Sequence, residues 1–201
     1  MQKRTDNFIL ASGSPRRREL LRMICEEFRI IVPDCEETVT GTEPEEVTKE
    51  LSRQKAEAVA HAENRGEFSH AVIIGADTVV SIGGRILGKP KDRADAFGMM
   101  RFLSGKSHQV STGITLIRTG AEGEIVWQES FAETTTVYVA EMTEEEINAY
   151  LDTDEPYDKA GAYGIQGMFG KHISGIEGDY NNVVGLPVHR LYEELKKCLD
   201  I

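Results

Sequence analysis

Cysteine is scarce in this sequence and does not fall into pairs: Cys25, Cys35 and Cys198 make three, with no CxxC spacing. An odd, scattered set excludes a disulfide framework, argues against a zinc site and points to a reducing compartment. Positive charge is also in deficit. The formal net charge is −11, which argues against a protein that coats duplex nucleic acid or an anionic membrane, because those surfaces need a basic field. A small anionic ligand needs only a local group of cations, and Arg16, Arg17 and Arg18 supply one. The five histidines show no HExxH or other ligand spacing. Neither a Walker loop nor a dinucleotide fingerprint is present. The apolar run near the N-terminus, Phe8–Ala11, is too short for a secretion signal or a membrane span, so a soluble cytoplasmic protein is expected. There is no internal repeat, low-complexity tract or linker, and residues 1–201 read as one domain.

What is present is an alternation of strands and helices. Phe8–Ala11 reads as a buried strand ended by Ser12-Gly13-Ser14-Pro15. Apolar residues at Leu20, Leu21, Ile24 and Phe28 then mark a helix over Arg16–Glu27, with Ser14 as its cap and Pro15 in its first turn. Phe28–Val32 is a second strand, Pro33–Thr42 an acidic loop, and Pro44–Asn64 a long helix. Ala71–Ile74 is a strong strand closed at Gly75–Thr78, with Val79–Ile82 continuing it and Gly83-Gly84 turning a hairpin into Arg85–Leu87. Asp92–Leu103, Thr143–Thr153 and Val188–Leu199 are helices, and His108–Arg118 and Ile125–Val139 are long strands. Gly161–Gly178 is a glycine-rich loop and strand. Paired and crossover strands together predict an α/β fold with a mixed central sheet flanked by helices.

The first loop carries the sharpest chemistry. A strand running into SGSP and a helix opening with arginines aims backbone N–H and guanidinium groups at one place, which suits a phosphate. The same residues also describe a capped helix with a solvated basic first turn. Three arginines at a helix start oppose its dipole, a conflict that an anion resolves. Asp77, after an apolar strand, is placed to hold a hard cation or orient water, although an aspartate in that position alone more often ends the strand through local backbone bonds. Lys55 and Lys89 offer charge that is otherwise simply solvated. Asp34, Glu36 and Glu37 offer carboxylates to a metal, as does any exposed acidic loop. Gln166, in EPYDKAGAYGIQG, carries a carboxamide that both donates and accepts, as a base edge requires.

LASGSPRRRELL, IIGADTVV, LGKPKD, LSGKSHQVSTG, EPYDKAGAYGIQG and GDYNNVVGLP, in that order, resemble the Maf family of nucleotide pyrophosphatases over Leu10 to Pro187. The resemblance implies two lobes around a cleft, a fold similar to the inosine triphosphate pyrophosphatases, and hydrolysis of a nucleoside triphosphate to monophosphate and diphosphate with Mg²⁺ or Mn²⁺. It further implies Asp77 as proton acceptor, Ser12, Arg16, Arg17, Lys55 and Lys89 as substrate-binding residues, and Glu37 beside Asp77 at the metal. Arg16, Thr78 and Gln166 look like the branch acting on dTTP and UTP; the 7-methyl-GTP branch differs at these points. A homodimer is implied too. The rivals are a 7-methyl-GTP pyrophosphatase of the same chemistry and a nucleotide-binding regulator of cell division without turnover; against the regulator stand Asp77 and both lysines.

Overall fold

A computed structural model describes residues 7–62 and 65–199. Among the described residues seven strands form one mixed sheet: β1 (Asn7–Ala11), β2 (Arg29–Ile30), β3 (Ala71–Ile82), β4 (Arg85–Leu87), β5 (Ser107–Thr119), β6 (Ile125–Val139) and β7 (Ile173–Glu177). The order is β2-β1-β3-β5-β6-β7, with β4 also paired to β3. Pairing among β2, β1 and β3 is parallel, and from β3 onward it is antiparallel. Around it the described residues form the α-helices α1 (Pro15–Leu21), α2 (Pro44–Ala60), α3 (Arg93–Leu103), α4 (Glu144–Leu151), α5 (Tyr180–Val184) and α6 (Val188–Leu199). Among the described residues no helix is long and apolar enough to cross a membrane.

The strand β3 corrects the expectation of a break at Gly75–Thr78. Its pairing with β5 runs without interruption from Val72 to Ser81, so Asp77 lies within one continuous strand rather than at the end of one. Gly75 serves a close approach, not a turn. A Cβ there would lie 2.2 Å from the Ser52 carbonyl oxygen of α2, and one at Gly113 of β5 would lie 2.3 Å from the Thr48 carbonyl. Two bare glycines on adjacent strands let the α2 backbone settle onto the sheet.

The other edge of β3 changes neighbours. β1 accompanies it as far as Gly75, and β4 takes over at Val80. Between them, among the described residues, Ala76 to Val79 have no strand beside them on that edge. Side chains alternate there between the two faces of the sheet. Ile73 packs into the core beneath α2, and Val79 joins Val47 and Leu51 of that helix. Val72, Ile74 and Ala76 face the core shared with Leu20, Leu21, Leu191 and Leu195 of α1 and α6. A further core, built on Met100, Leu103, Val110, Val137, Tyr150 and Phe169, holds α3 and α4 against the far ends of the strands. A cleft lies between these cores.

Local expectations fared unevenly. Ser14 caps α1 as expected, its hydroxyl accepting the Arg17 N–H at 3.4 Å. However, α1 stops at Leu21, and the Ile24 and Cys25 amides close a turn onto the Leu21 carbonyl. Ile24 and Phe28 still reach the core, so the spacing that suggested a longer helix is one of burial in a turn. The second strand is shorter than expected and sits exposed at the sheet edge. The expected end of the long helix, Asn64, lies outside the described residues. Gly83 and Gly84 both adopt positive φ and make the hairpin turn. Helix α5 and three short 3₁₀ turns within residues 156–172 had no clear periodic signal.

Candidate active site

The uncovered stretch of β3 forms the floor of a cleft of about 640 Å³. Ser12, Arg16, Arg17, Lys55, Asp77, Thr78, Lys89 and Gln166 all line it. Glu37 does not line the cleft but reaches the same group as Asp77, its carboxylate lying 3.0 Å from the Lys55 ammonium. Arg18 points elsewhere and is exposed. Of the acidic loop only Glu37 is drawn in.

Because Asp77 and Thr78 are neighbours in a strand, they emerge on opposite faces. Asp77 meets the α2 face, where it hydrogen-bonds the Lys55 ammonium. Lys55 is carried there by α2, which the two bare glycines seat on the sheet, and its side chain and that of Asp77 are each 15% exposed. One ammonium thus bridges Asp77 and Glu37, and two carboxylates share one positive charge.

On the opposite face, the Arg17 guanidinium is engaged almost completely by protein. Nε donates to the Gly185 carbonyl at 2.9 Å, Nη1 to Ser12 Oγ at 3.2 Å and to the Ala76 carbonyl at 2.9 Å, and Nη2 to Thr78 Oγ1 at 2.9 Å. Four of the five N–H groups of the side chain are therefore committed. Burial pulls its pKa below the ordinary value while the Asp77 charge opposes that shift. Arg17 ties β1, β3 and α5 together, and one N–H remains for a ligand.

Ser12 Oγ accepts both from Arg17 and from the Ser14 amide at 3.3 Å, which leaves its own proton to donate. Arg16, Lys89 and Gln166 have no hydrogen bond or ion pair among the described residues and line the cleft, with the Arg16 charge also acting on Asp158 of the same wall. The walls contain groups that sequence spacing did not single out. Glu155 accepts the Met168 amide at 2.8 Å and the Tyr150 hydroxyl at 3.1 Å, pinning the turn that presents Gln166. Burial, then the charge of Glu155, pushes the Tyr150 hydroxyl well above its usual pKa, so it remains a donor. Tyr163 and the segment Val183–Gly185 complete the wall. Glu155 opens the EPYDKAGAYGIQG segment, whose dense polar and glycine content was the available signal.

The cleft therefore has a carboxylate–ammonium group on one face, cations and hydroxyl donors at its mouth, and hydrogen-bonding side chains on the other face. Such an arrangement can hold an anion and orient a nucleophile beside it.

Comparison with known proteins adds to this geometry. The profile of a family described as Maf-like protein matches residues 7–198. The chain is similar to a protein named dTTP/UTP pyrophosphatase from Agathobacter rectalis, 52% identical over 200 residues and covering 94% of this chain and 96% of that one. Proteins of the same name from Carboxydothermus hydrogenoformans and Lachnoclostridium phytofermentans are 50% and 45% identical, each covering 94% of this chain and 96% and 93% of their own lengths. Among solved structures, the Staphylococcus aureus Ham1 protein aligns at 18% identity with a TM-score of 0.46, covering 67% of this chain and 72% of that one.

Proposed function

The chain belongs to the Maf-like protein family, and from that premise we propose that it hydrolyses dTTP and UTP to the monophosphate and diphosphate in the cleft over β3. The observation that carries the proposal is convergence: eight residues separated by up to most of the chain, from Ser12 to Gln166, line one cleft of about 640 Å³. That volume is within the range that holds a small organic ligand.

In this reading the triphosphate lies at the mouth, where Ser12 donates its free proton and Arg16, Lys55 and Lys89 counter the charge. Arg17 contributes its one remaining N–H and chiefly positions Ser12 and Thr78. Asp77 orients a water and draws off its proton as the water oxygen attacks the α-phosphorus in line. The bond from that phosphorus to the bridging oxygen breaks, and diphosphate leaves with the bond's electrons. The base lies toward the other face, against Thr78 and Gln166.

A divalent cation fits the residues present. Glu37 and Asp77 already act on a single positive charge, and Mg²⁺ or Mn²⁺ is commonly held by one or two carboxylates completed by phosphate oxygens. When bound, such an ion neutralises charge accumulating on the phosphate oxygens. The reading also carries a cytoplasmic location, where nucleoside triphosphates are made, and the homodimer that the resemblance implies, which sedimentation tests.

The test is diphosphate release from dTTP, UTP, dCTP and 7-methyl-GTP with magnesium or manganese, by the wild type and by Asp77→Asn. Preferred turnover of dTTP and UTP is expected. The variant should lose about 10²–10⁴-fold in kcat, the contribution typical of one acid–base group. Orthophosphate as the product, or near-normal turnover by Asp77→Asn, would overturn the assignment.

A further inference from the structure

The hydrogen bonds behind Thr78 determine which way its own proton points. The Asn182 backbone carbonyl lies 3.1 Å from Thr112 Oγ1. A carbonyl can only accept, so Thr112 gives its single proton to it. The Asn181 carbonyl takes both the Gly185 and Leu186 amides, which leaves the next carbonyl along α5 to Thr112. Thr112 Oγ1 and Thr78 Oγ1 are 3.0 Å apart on facing positions of β5 and β3. With the Thr112 proton committed, that bond is made by the proton of Thr78. Arg17 Nη2 fills one Thr78 lone pair. What remains for a ligand is a single lone pair.

The chain is firmly anchored. Thr112 is fully buried, and so is Asn182, whose Nδ2 donates at 2.9 Å to both the Val110 carbonyl and Thr135 Oγ1. The Asn182 side chain holds α5 onto β5 and β6, and its backbone carbonyl holds the Thr112 proton in place.

We propose that Thr112 is a positioning residue for specificity: by taking the Thr78 proton it leaves Thr78 an acceptor only, so the cleft selects bases that present a ring N–H. Uracil and thymine carry N3–H between two carbonyls. Cytosine presents a bare N3, which would meet the Thr78 lone pair and leave both acceptors unpaired. The Gln166 carboxamide is able to donate to a flanking carbonyl of the ring. This rests on the reading above, in which Thr78 touches the base.

The experiment measures kcat/KM for diphosphate release from dTTP, dCTP and dTTP methylated at N3, using the wild type, Thr112→Val and Thr112→Ser. The wild type should favour dTTP over both other nucleotides by about tenfold to a hundredfold, the usual loss from one unpaired buried polar group. In Thr112→Val the Thr78 proton loses its acceptor and is free to turn to the ligand, so the dTTP-to-dCTP ratio should fall about tenfold, while Thr112→Ser keeps it. A Thr112→Val enzyme that slows on both nucleotides equally, with the ratio intact, overturns the proposal. So does a wild type that accepts N3-methyl-dTTP as well as dTTP, a result that needs no variant to fold. Failure of the wild type to release diphosphate from dTTP and UTP would instead remove the underlying function, and the proposal with it.

Discussion

Replacing Gly75 by alanine tests whether the contact between α2 and the sheet sets the distance between Lys55 and Asp77. The new methyl would lie 2.2 Å from the Ser52 carbonyl oxygen and 2.9 Å from Ala56 Cβ, whereas ordinary contact begins at 3.4 Å. Neither obstacle is the end of a flexible side chain, so the helix must retreat by about 1 Å over this turn. Lys55 follows Ser52 by less than one helical turn and retreats with it. Overpacking of this kind costs about 1–3 kcal/mol, which for a chain of this size lowers Tm by about 2–12 °C. A displacement of about 1 Å of a positioning group can cost on the order of 10²-fold in turnover. The assay is kcat for dTTP at 25 °C, where the variant remains folded, alongside a thermal melt. Gly98→Ala is the control. Gly98 is exposed in α3 and its Cβ would meet nothing within 4 Å, so helix propensity should raise stability by about 0.5–1 kcal/mol with activity unchanged. If Gly75→Ala kept both its melting temperature and its turnover, the glycine contact would not be what seats Lys55.

Glu155→Gln should raise KM for dTTP about tenfold with kcat within about threefold, since the carboxamide cannot accept from both the Met168 amide and Tyr150, and the turn carrying Gln166 loosens; equal losses in the two constants would point to chemistry instead. His108, buried with Nε2 2.7 Å from the Tyr163 hydroxyl, is held by desolvation at a pKa of about 4, against 6.5 in an unfolded chain. Between those values the unfolded chain binds the proton and the folded one does not, so stability should fall as pH drops from 6.5 toward 4. The slope should approach about 1.4 kcal/mol per pH unit, with no contribution above 6.5. Comparing melts of the wild type and His108→Gln from pH 5 to 7 checks this, because the variant should show a shallower dependence.

The sequence made much of this molecule legible because periodicity and capping act over short distances. Ser14, Pro15 and the paired glycines at 83 and 84 place their turns through their own backbone preferences. Gly75 shows the limit. Small residues in GADT look like a chain break, and only α2, folded back from a segment some twenty residues earlier, reveals that the gap is filled by another backbone. The arginine cluster likewise reads as a single patch of charge. In the fold its members separate: Arg18 faces solvent, Arg16 lines the cleft, and Arg17 is consumed by carbonyls and hydroxyls from distant segments. Thr112 and Asn182 sit within the motifs LSGKSHQVSTG and GDYNNVVGLP, but their roles were not legible there, because the direction of a proton in a chain of hydroxyls depends on which carbonyl ends it. That carbonyl belongs to a five-residue helix without a periodic signature.

Arg17 and Gly185 are joined by one hydrogen bond across 168 positions of sequence. During synthesis, at about 5–20 residues per second, that separation amounts to roughly ten to thirty seconds between the emergence of the guanidinium and of its last acceptor. Lys55 and Asp77 emerge together, well before. A nascent chain shorter than residue 185 must therefore keep the Arg17 side chain at least partly in water, and its withdrawal from solvent is among the last events in completing the cleft.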